Sequence, residues 1–149
     1  MKRIVGVLIV LVSSLACAAG DQGLVTRSSR YSVAETIDRF ESVAKAEKVQ
    51  IFARVDFQAL AAANNGNVRP SQLLLFGRGG ILPPLLPATP MIAVDLPLKV
   101  LAWEDGEGKV WISYNASDYL KNRHAVAGKE DIFKRLDAFM EALAGKALE

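Results

Sequence analysis

The residue best suited to acid–base chemistry in this chain is its only histidine, His124. Imidazole changes charge near neutral pH, so a histidine can act as a general base or contribute one ligand to a metal site. A serine hydrolase would also need a nucleophile, but the sequence contains no Gly-x-Ser-x-Gly motif. A zinc site would have to draw its other ligands from carboxylates alone, which is uncommon. The structural alternative is that His124 ends a short helix and stabilises its C-terminus.

Other polar residues suggest a ligand site around this histidine. Asp95 precedes a predicted strand, where a carboxylate can accept backbone hydrogen bonds or face a cleft. Tyr114, Asn115 and Tyr119 lie close to His124 in the sequence. We therefore predict a ligand-binding cleft formed by Asp95, Tyr114, Asn115, Tyr119 and His124, with no catalytic residues. The alternative hypothesis is a small enzyme in which His124 and a carboxylate form an acid–base pair. We predict neither a cofactor nor a metal.

The glycine-rich segment Gly77-Arg78-Gly79-Gly80 raises the question of phosphate binding, since it follows an apolar, strand-like stretch. Neither a G-x-G-x-x-G nor a G-x-x-x-x-G-K-[ST] motif is present. No long helix can begin among the prolines from Pro83 to Pro90 and add its dipole. We interpret this glycine loop as a structural turn, with phosphate binding as the weaker alternative.

The first eighteen residues have the features of a secretory signal peptide. Lys2 and Arg3 precede an apolar run over residues 4–12, and small residues follow around Ala18. The apolar run is shorter than the roughly 20 residues that span a bilayer. We therefore expect residues 1–18 to be removed and the protein to be exported, to the periplasm. Lipid anchoring through Cys17 is the alternative.

Charge and composition narrow the classes of partner. The chain has 18 Lys and Arg and 16 Asp and Glu, so loss of Lys2 and Arg3 with the leader leaves equal numbers. Without a basic excess or a clustered basic stripe, nucleic acid is an unfavourable partner. We expect no membrane association after cleavage. The predicted partner is an unknown small ligand or a protein, and a homodimer is one form of the latter.

Hydrophobic periodicity predicts a single α+β domain over residues 24–145. Ser32 and Glu35 form a capping box, and the apolar stripe that follows predicts a helix over residues 33–47. Two alternating runs around Asp105-Gly106-Glu107-Gly108 predict a β-hairpin. A second amphipathic helix is predicted over residues 129–144, ending at Gly145. The predicted architecture is a five-stranded, mainly antiparallel sheet with helices packed on one face.

The hairpin strands carry bulky apolar groups on both of their faces, including Trp103 and Trp111. The amphipathic helices can cover only one face of the sheet. The other face would then be covered by the proline-rich segment or by a second subunit. We therefore predict a homodimer formed on the side of the sheet that the helices leave open.

Three blocks of sequence, "RPSQLLLFG", "DLPLKVLAWEDGEGKVWISYN" and "YLKNRH", resemble in order and spacing the bacterial family called domain of unknown function 302. The resemblance covers residues 28–124. It implies a compact α+β domain without an established reaction. The chain departs from the family pattern at Phe57, where the family often has histidine, and at Arg78-Gly79, where asparagine-proline is common.

Overall fold

The computed structural model describes residues 23–80, 83–87 and 89–149. The predicted signal peptide, with Cys17 and the cleavage site, lies outside the described residues. The strands are β1 (Leu24–Ser29), β2 (Gln50–Asp56), β3 (Ser71–Gly77), β4 (Leu98–Glu104) and β5 (Val110–Asn115). The helices are α1 (Val33–Ala46), α2 (Phe57–Ala62), α3 (Ser117–Arg123) and α4 (Glu130–Leu148). Two short 3₁₀ helices, Pro83–Leu85 and Pro90–Asp95, precede β4.

The five strands form one sheet in the order β1-β5-β4-β3-β2, and every neighbouring pair is antiparallel. The long helices α1 and α4 pack against each other, and α1 packs on the sheet. The prediction of an α+β fold with helices on one face of a five-stranded sheet is therefore confirmed. We call the face toward α1 and α4 the helix face and the opposite side the open face.

The hydrophobic core lies between the helix face and α1 with α4. Phe40 of α1 and Phe76 of β3 are fully buried, with ring centroids 5.3 Å apart. The alternation of side chains along the central strands brings other fully buried residues to this face: Leu74, Val100, Ala102 and Ile112. Each such aliphatic or aromatic side chain contributes about 1.5–3 kcal/mol through burial, so this layer accounts for most of the stabilising apolar contact.

Side-chain caps set the beginnings of the first two helices. Ser32 Oγ accepts a hydrogen bond from the Glu35 backbone N–H at 3.2 Å, as the capping box predicts. Asp56 Oδ1 accepts one from the Ala59 N–H at 2.9 Å, which begins α2 directly after β2. These caps satisfy backbone donors that the first turn of a helix otherwise leaves unpaired.

The ends of the last two helices differ from the prediction. Residue type favours Ser117 or Asn115 as the cap of α3, but its N-cap is Ala116, Asn115 ends β5, and Ser117 is the first helical residue. Helix α4 continues past Gly145 to Leu148. Ala147 is fully buried, and burial of this last turn offsets the cost of about 1 kcal/mol of a glycine within a helix.

A β-bulge interrupts the regular alternation of side chains along β2. The register against β3 shifts between Ile51, which pairs with Phe76, and Ala53, which pairs with Leu75. Ile51 therefore faces the core, whereas Phe52 and Ala53 are both exposed. A bulge inserts one extra residue and changes the direction in which the neighbouring side chains point. Consequently β2 contributes Phe52, 53% exposed, to the open face.

Candidate functional site

Two of the predicted site residues are in direct contact. Asp95 ends the second 3₁₀ helix and His124 caps the C-terminus of α3. The His124 Nε2 atom lies 2.6 Å from Asp95 Oδ2. The side chain of His124 is only 6% exposed and that of Asp95 is 15% exposed, so the contact is largely shielded from water. This hydrogen bond joins two segments that are 29 residues apart in the chain.

Two cations that we did not predict complete the cluster around Asp95. Arg123 Nε lies 3.1 Å from Asp95 Oδ2, and Arg123 Nη1 donates to the Tyr119 hydroxyl at 2.6 Å. Lys99 Nζ donates to the backbone oxygen of Asp95 at 2.8 Å and to that of Pro97 at 3.1 Å. We call Asp95, Lys99, Tyr119, Arg123 and His124 the Asp95 cluster. In sequence, the position of Arg123 next to His124 was the available signal for its role.

Burial and charge shift the pKa values of the two cations in opposite directions. Desolvation lowers the pKa of Lys99, and the charge of Asp95 partly offsets this effect. The hydrogen bond to Tyr119 and the charge of Asp95 both raise the pKa of Arg123, which stays charged. The cluster therefore holds a permanent cation against the carboxylate at its exposed side.

Tyr114 and Asn115 do not join the Asp95 cluster through a described contact. Consecutive residues of a strand point to opposite faces of the sheet. Tyr114 is on the helix face, 5% exposed, and burial together with the charge of Glu141 raises its pKa, which Arg27 partly counteracts. Asn115 pairs with Leu24 at the other face. The five predicted site residues are thus divided among three environments, and the proposed cleft stays a prediction.

The geometry of His124 indicates what the Asp95 cluster can do chemically. A general base needs one ring nitrogen oriented by a partner and the other within reach of a substrate. Here Asp95 orients Nε2, but the 6% exposure of the side chain leaves little access to the rest of the ring. The same contacts connect the end of α3 to the start of β4. The contacts therefore have a structural role in joining α3 to β4. An acid–base role would also require that a substrate reaches the imidazole ring.

The glycine loop is built around a contact between Gly77 and Phe52. A methyl group on Gly77 would lie 3.0 Å from the Phe52 Cε2 atom, so a larger residue would displace the ring. Around Gly79 and Gly80, by contrast, no heavy atom lies within 4 Å of such a methyl group. These contacts do not test phosphate binding, and the interpretation of the loop as a structural turn stays a prediction.

The open face is an apolar surface that the helices do not cover. The register places these partly or strongly exposed apolar side chains on it: Leu24, Phe52, Val55, Leu73, Leu75, Leu101, Trp103 and Trp111. The two tryptophans are directly opposite each other on β4 and β5, with ring centroids 6.5 Å apart and an interplanar angle of 25°. Cross-strand aromatic pairs of this kind stabilise the hairpin.

Several polar groups on the open face have partners within the chain. Trp103 Nε1 donates to Ser113 Oγ at 3.0 Å, and Ser113 Oγ lies 2.9 Å from Thr26 Oγ1. Lys99 is committed to two backbone oxygens, as described above. A buried polar group costs free energy only when it loses its hydrogen bonds. A partner could therefore cover these groups without leaving them unsatisfied.

At the turn of the hairpin, Asp105 anchors the edge of this face. Its Oδ1 atom accepts from the N–H groups of Glu107 and Lys109, each at 2.9 Å, and its Oδ2 accepts from Trp111 Nε1 at 2.7 Å. The Trp111 hydrogen bond is the main reason that the pKa of Asp105 is lowered. Lys109 Nζ lies 4.0 Å from the centre of the Trp111 ring. Trp111 is therefore held in one orientation from two sides.

Comparison with known proteins identifies the family. The family model described as "Domain of unknown function DUF302" matches residues 25–143. The chain belongs to the DUF302 family. A solved DUF302 structure, the uncharacterized conserved protein from Bacillus stearothermophilus, has the same fold with a TM-score of 0.70. The match covers 85% of this chain and 96% of that one at 16% sequence identity, so it concerns the fold alone.

Two curated proteins share this DUF302 sequence more closely. Both are named "Fluoride-specific ion channel FluC 1", one from Brucella suis and one from Brucella abortus, and each is 41% identical over 112 residues. The aligned region covers 75% of this chain but 44% and 42% of those proteins, so the chain spans less than half their length. In the described part of this DUF302 chain, no helix has the length and apolar character needed to cross a bilayer.

The described residues of the DUF302 domain contain no group of three or more His, Cys, Asp or Glu side chains placed to hold a metal ion. The Asp95 cluster combines one carboxylate with one imidazole and two cations. Cations beside a carboxylate compete with a metal for it.

Proposed function

We propose that this DUF302 protein is an exported, non-catalytic binding module that forms a homodimer through its open face. One observation carries the proposal: the open face is mainly apolar, and several of its polar groups, those of Trp103, Ser113, Thr26 and Lys99, already have hydrogen-bond partners within the chain. Contiguous exposed apolar patches are typical of association sites. Covering the face would remove apolar surface from water and cost few hydrogen bonds.

The charge distribution favours a second copy of the chain as the partner. A twofold interface brings identical surfaces together, so charges near its axis meet charges of the same sign. On the open face the register places one charged side chain, Lys99, among the described residues of the strands. Desolvation already lowers the pKa of Lys99, and its Nζ is bound to the Asp95 and Pro97 oxygens. Two copies can therefore approach without strong electrostatic repulsion.

The curated relatives support the description of this domain as a module. In the two Brucella proteins a matching region forms part of a longer chain that is named as a fluoride-specific ion channel. We infer that the domain acts by binding a neighbouring surface, of its own kind or of another protein, rather than by catalysis. Fluoride transport itself is a property of the whole protein that carries that name.

Self-association is tested by sedimentation velocity over a series of protein concentrations. We expect the weight-average mass to rise from that of the monomer to that of the dimer between low and high micromolar protein. The apolar character of the interface predicts that added salt weakens the association little, because few charges cross it. Monomer alone at high micromolar protein would contradict the proposal.

Export rests on the sequence of the leader, residues 1–18. We expect N-terminal sequencing of the protein from its native source to begin near Ala19. The control is the same protein with Lys2 and Arg3 replaced by glutamate, because the positive charge of the leader promotes export. A native protein that retains Met1, or a mature N-terminus at a lipidated Cys17, would show that the export proposal or its cleavage position is wrong.

The alternative function is that of a small enzyme in which His124 and Asp95 act as an acid–base pair. The observation in its favour is the 2.6 Å contact between His124 Nε2 and Asp95 Oδ2. Native mass spectrometry of the isolated protein would support this alternative if a small molecule bound to the wild type, but not to His124→Gln, was converted to a product of different mass by the wild type. The non-catalytic proposal expects no conversion by either protein.

A further inference from the structure

A groove lies at the end of the open face that is remote from the tryptophan pair. Its volume is about 530 Å³, within the range of small-molecule sites. The walls come from the sheet, from the start of β4 and from the proline-rich segment. The residues that matter for the inference are Phe52, Leu75, Arg78, Leu86, Leu96 and Pro97. Five of these six side chains are apolar, so an apolar ligand surface fits the walls.

Two local features of the backbone shape the groove. The bulge in β2 brings Phe52 to the open face, where its side chain remains 53% exposed. Gly77, on the neighbouring strand, leaves space for the Phe52 ring, since a methyl group there would come within 3.0 Å of it. Leu86 of the proline-rich segment, 36% exposed, lines the same groove. Exposed apolar side chains on a concave surface gain free energy when a ligand removes them from water.

A cation lies in the wall of this apolar groove. Arg78 is exposed and lines the groove together with its neighbour Gly79. The acidic residue near Arg78 is Glu47, whose Oε1 atom forms a salt bridge with Lys146 Nζ at 2.6 Å. The pKa of Glu47 is lowered mainly by Lys146 and least by Arg78. None of the salt bridges among the described residues involves Arg78, so its guanidinium can pair with a ligand carboxylate through two parallel hydrogen bonds.

We propose that this groove binds an aliphatic carboxylate of medium chain length. The hydrocarbon chain lies against Phe52, Leu75 and Leu96, and the carboxylate pairs with Arg78. Free phosphate lacks the apolar part that the walls require, so it does not occupy the site. This agrees with the glycine loop acting as a turn. The groove also differs from the cleft predicted at Asp95, because none of the groove residues named above belongs to that cleft.

The inference and the proposed dimer can be tested separately, although Phe52 and Leu75 belong to the open face as well as to the groove. The register places Phe76 opposite Leu98 and Ser71 opposite Trp103, so the groove and Trp103 are at opposite ends of β4. A monomer that fails to associate can still bind the carboxylate. If the protein dimerises but does not bind the carboxylate, this inference is wrong and the proposed function is unaffected.

Isothermal titration calorimetry of the full chain with decanoate, kept below its micelle concentration, tests the site. We expect saturable binding at one site per chain. Arg78→Ala should weaken it about tenfold, the effect of losing one charge-assisted pair. Decanol, which has the same chain without the charge, should bind the wild type more weakly by a similar factor, and inorganic phosphate should give no saturable heat.

Matched variants locate the site. A second groove of about 520 Å³ is lined by Arg78, Arg135, Phe139 and Leu143, so Arg78→Ala alone does not distinguish the two. Phe52→Ala removes a wall of the proposed groove only and should weaken decanoate at least about fivefold, because about 1 kcal/mol of apolar contact is lost. Arg135→Ala affects the second groove only and should leave the affinity unchanged.

Three results would overturn the inference. They are no saturable binding of decanoate, equal affinity for decanoate and decanol, or decanoate affinity that is reduced in Arg135→Ala and unchanged in Phe52→Ala. Thermal unfolding of each variant shows whether it is folded. If Phe52→Ala is unfolded, Leu86→Ser takes its place, since Leu86 is partly exposed and outside the sheet.

Discussion

Leu101→Asp is expected to convert the dimer to monomer and to leave the monomer folded. Leu101 lies in the middle of β4 on the open face, between Leu73 of β3 and Ser113 of β5. In the monomer the new carboxylate is in contact with water, because Leu101 is partly exposed. In the dimer it would be buried without a partner, which costs several kcal/mol. Sedimentation velocity should show association weakened at least about a hundredfold.

The matched control is Ala34→Asp, which adds the same charge to the exposed side of α1, remote from the open face. We expect it to sediment as the wild type does. Trp111→Ala should also weaken the dimer more than it lowers the free energy of unfolding of the monomer, because buried interface aromatics are frequent hot spots. If Ala34→Asp dissociated the dimer and Leu101→Asp did not, the interface would be elsewhere.

Asp95→Ala is expected to lower the free energy of unfolding by about 1–3 kcal/mol, the cost of leaving a buried hydrogen-bonding group without its partner. The variant removes the acceptor of His124 Nε2 and of Arg123 Nε, and the His124 side chain is 6% exposed. The Lys99 hydrogen bonds, which use backbone oxygens, are retained. Urea unfolding followed by tryptophan fluorescence measures the change.

The control for this prediction is Asp137→Ala, which removes an exposed carboxylate of α4 and should change the stability by less than about 0.5 kcal/mol. Equal stability of Asp95→Ala and Asp137→Ala would contradict the structural role of the Asp95 cluster. Such a result would favour the acid–base hypothesis, since a contact that contributes nothing to stability needs another reason for its geometry.

Local sequence signals were sufficient for most of the fold. Ser32 and Asp56 begin helices as their types predict, because a cap acts on backbone groups only three residues away. Gly108, with a φ of 80°, provides the positive φ expected in the hairpin turn. The predicted helix ends were less accurate. Gly145 favours termination of α4 locally, but the burial of Ala147 against the core outweighs that preference.

The candidate site was predictable only in part. Asp95 and His124 were selected as chemically suitable residues, and the fold brings them together. The alternation of side chains along a strand already separates Tyr114 from Asn115, so that part of the cleft could have been questioned from sequence. Arg123 and Lys99 were missed because their contacts depend on how the end of α3 approaches the start of β4.

By itself the sequence determined the number of strands and the apolar character of both sheet faces, because these follow from residue types and their period. The resemblance of three sequence blocks indicated the family, which the family model confirms. Only the tertiary structure decided which face the helices cover, where the β2 bulge places Phe52, and that Trp103, Ser113 and Thr26 satisfy one another. The physical reason is that register and packing join residues far apart in the chain, and no local pattern encodes such a distance.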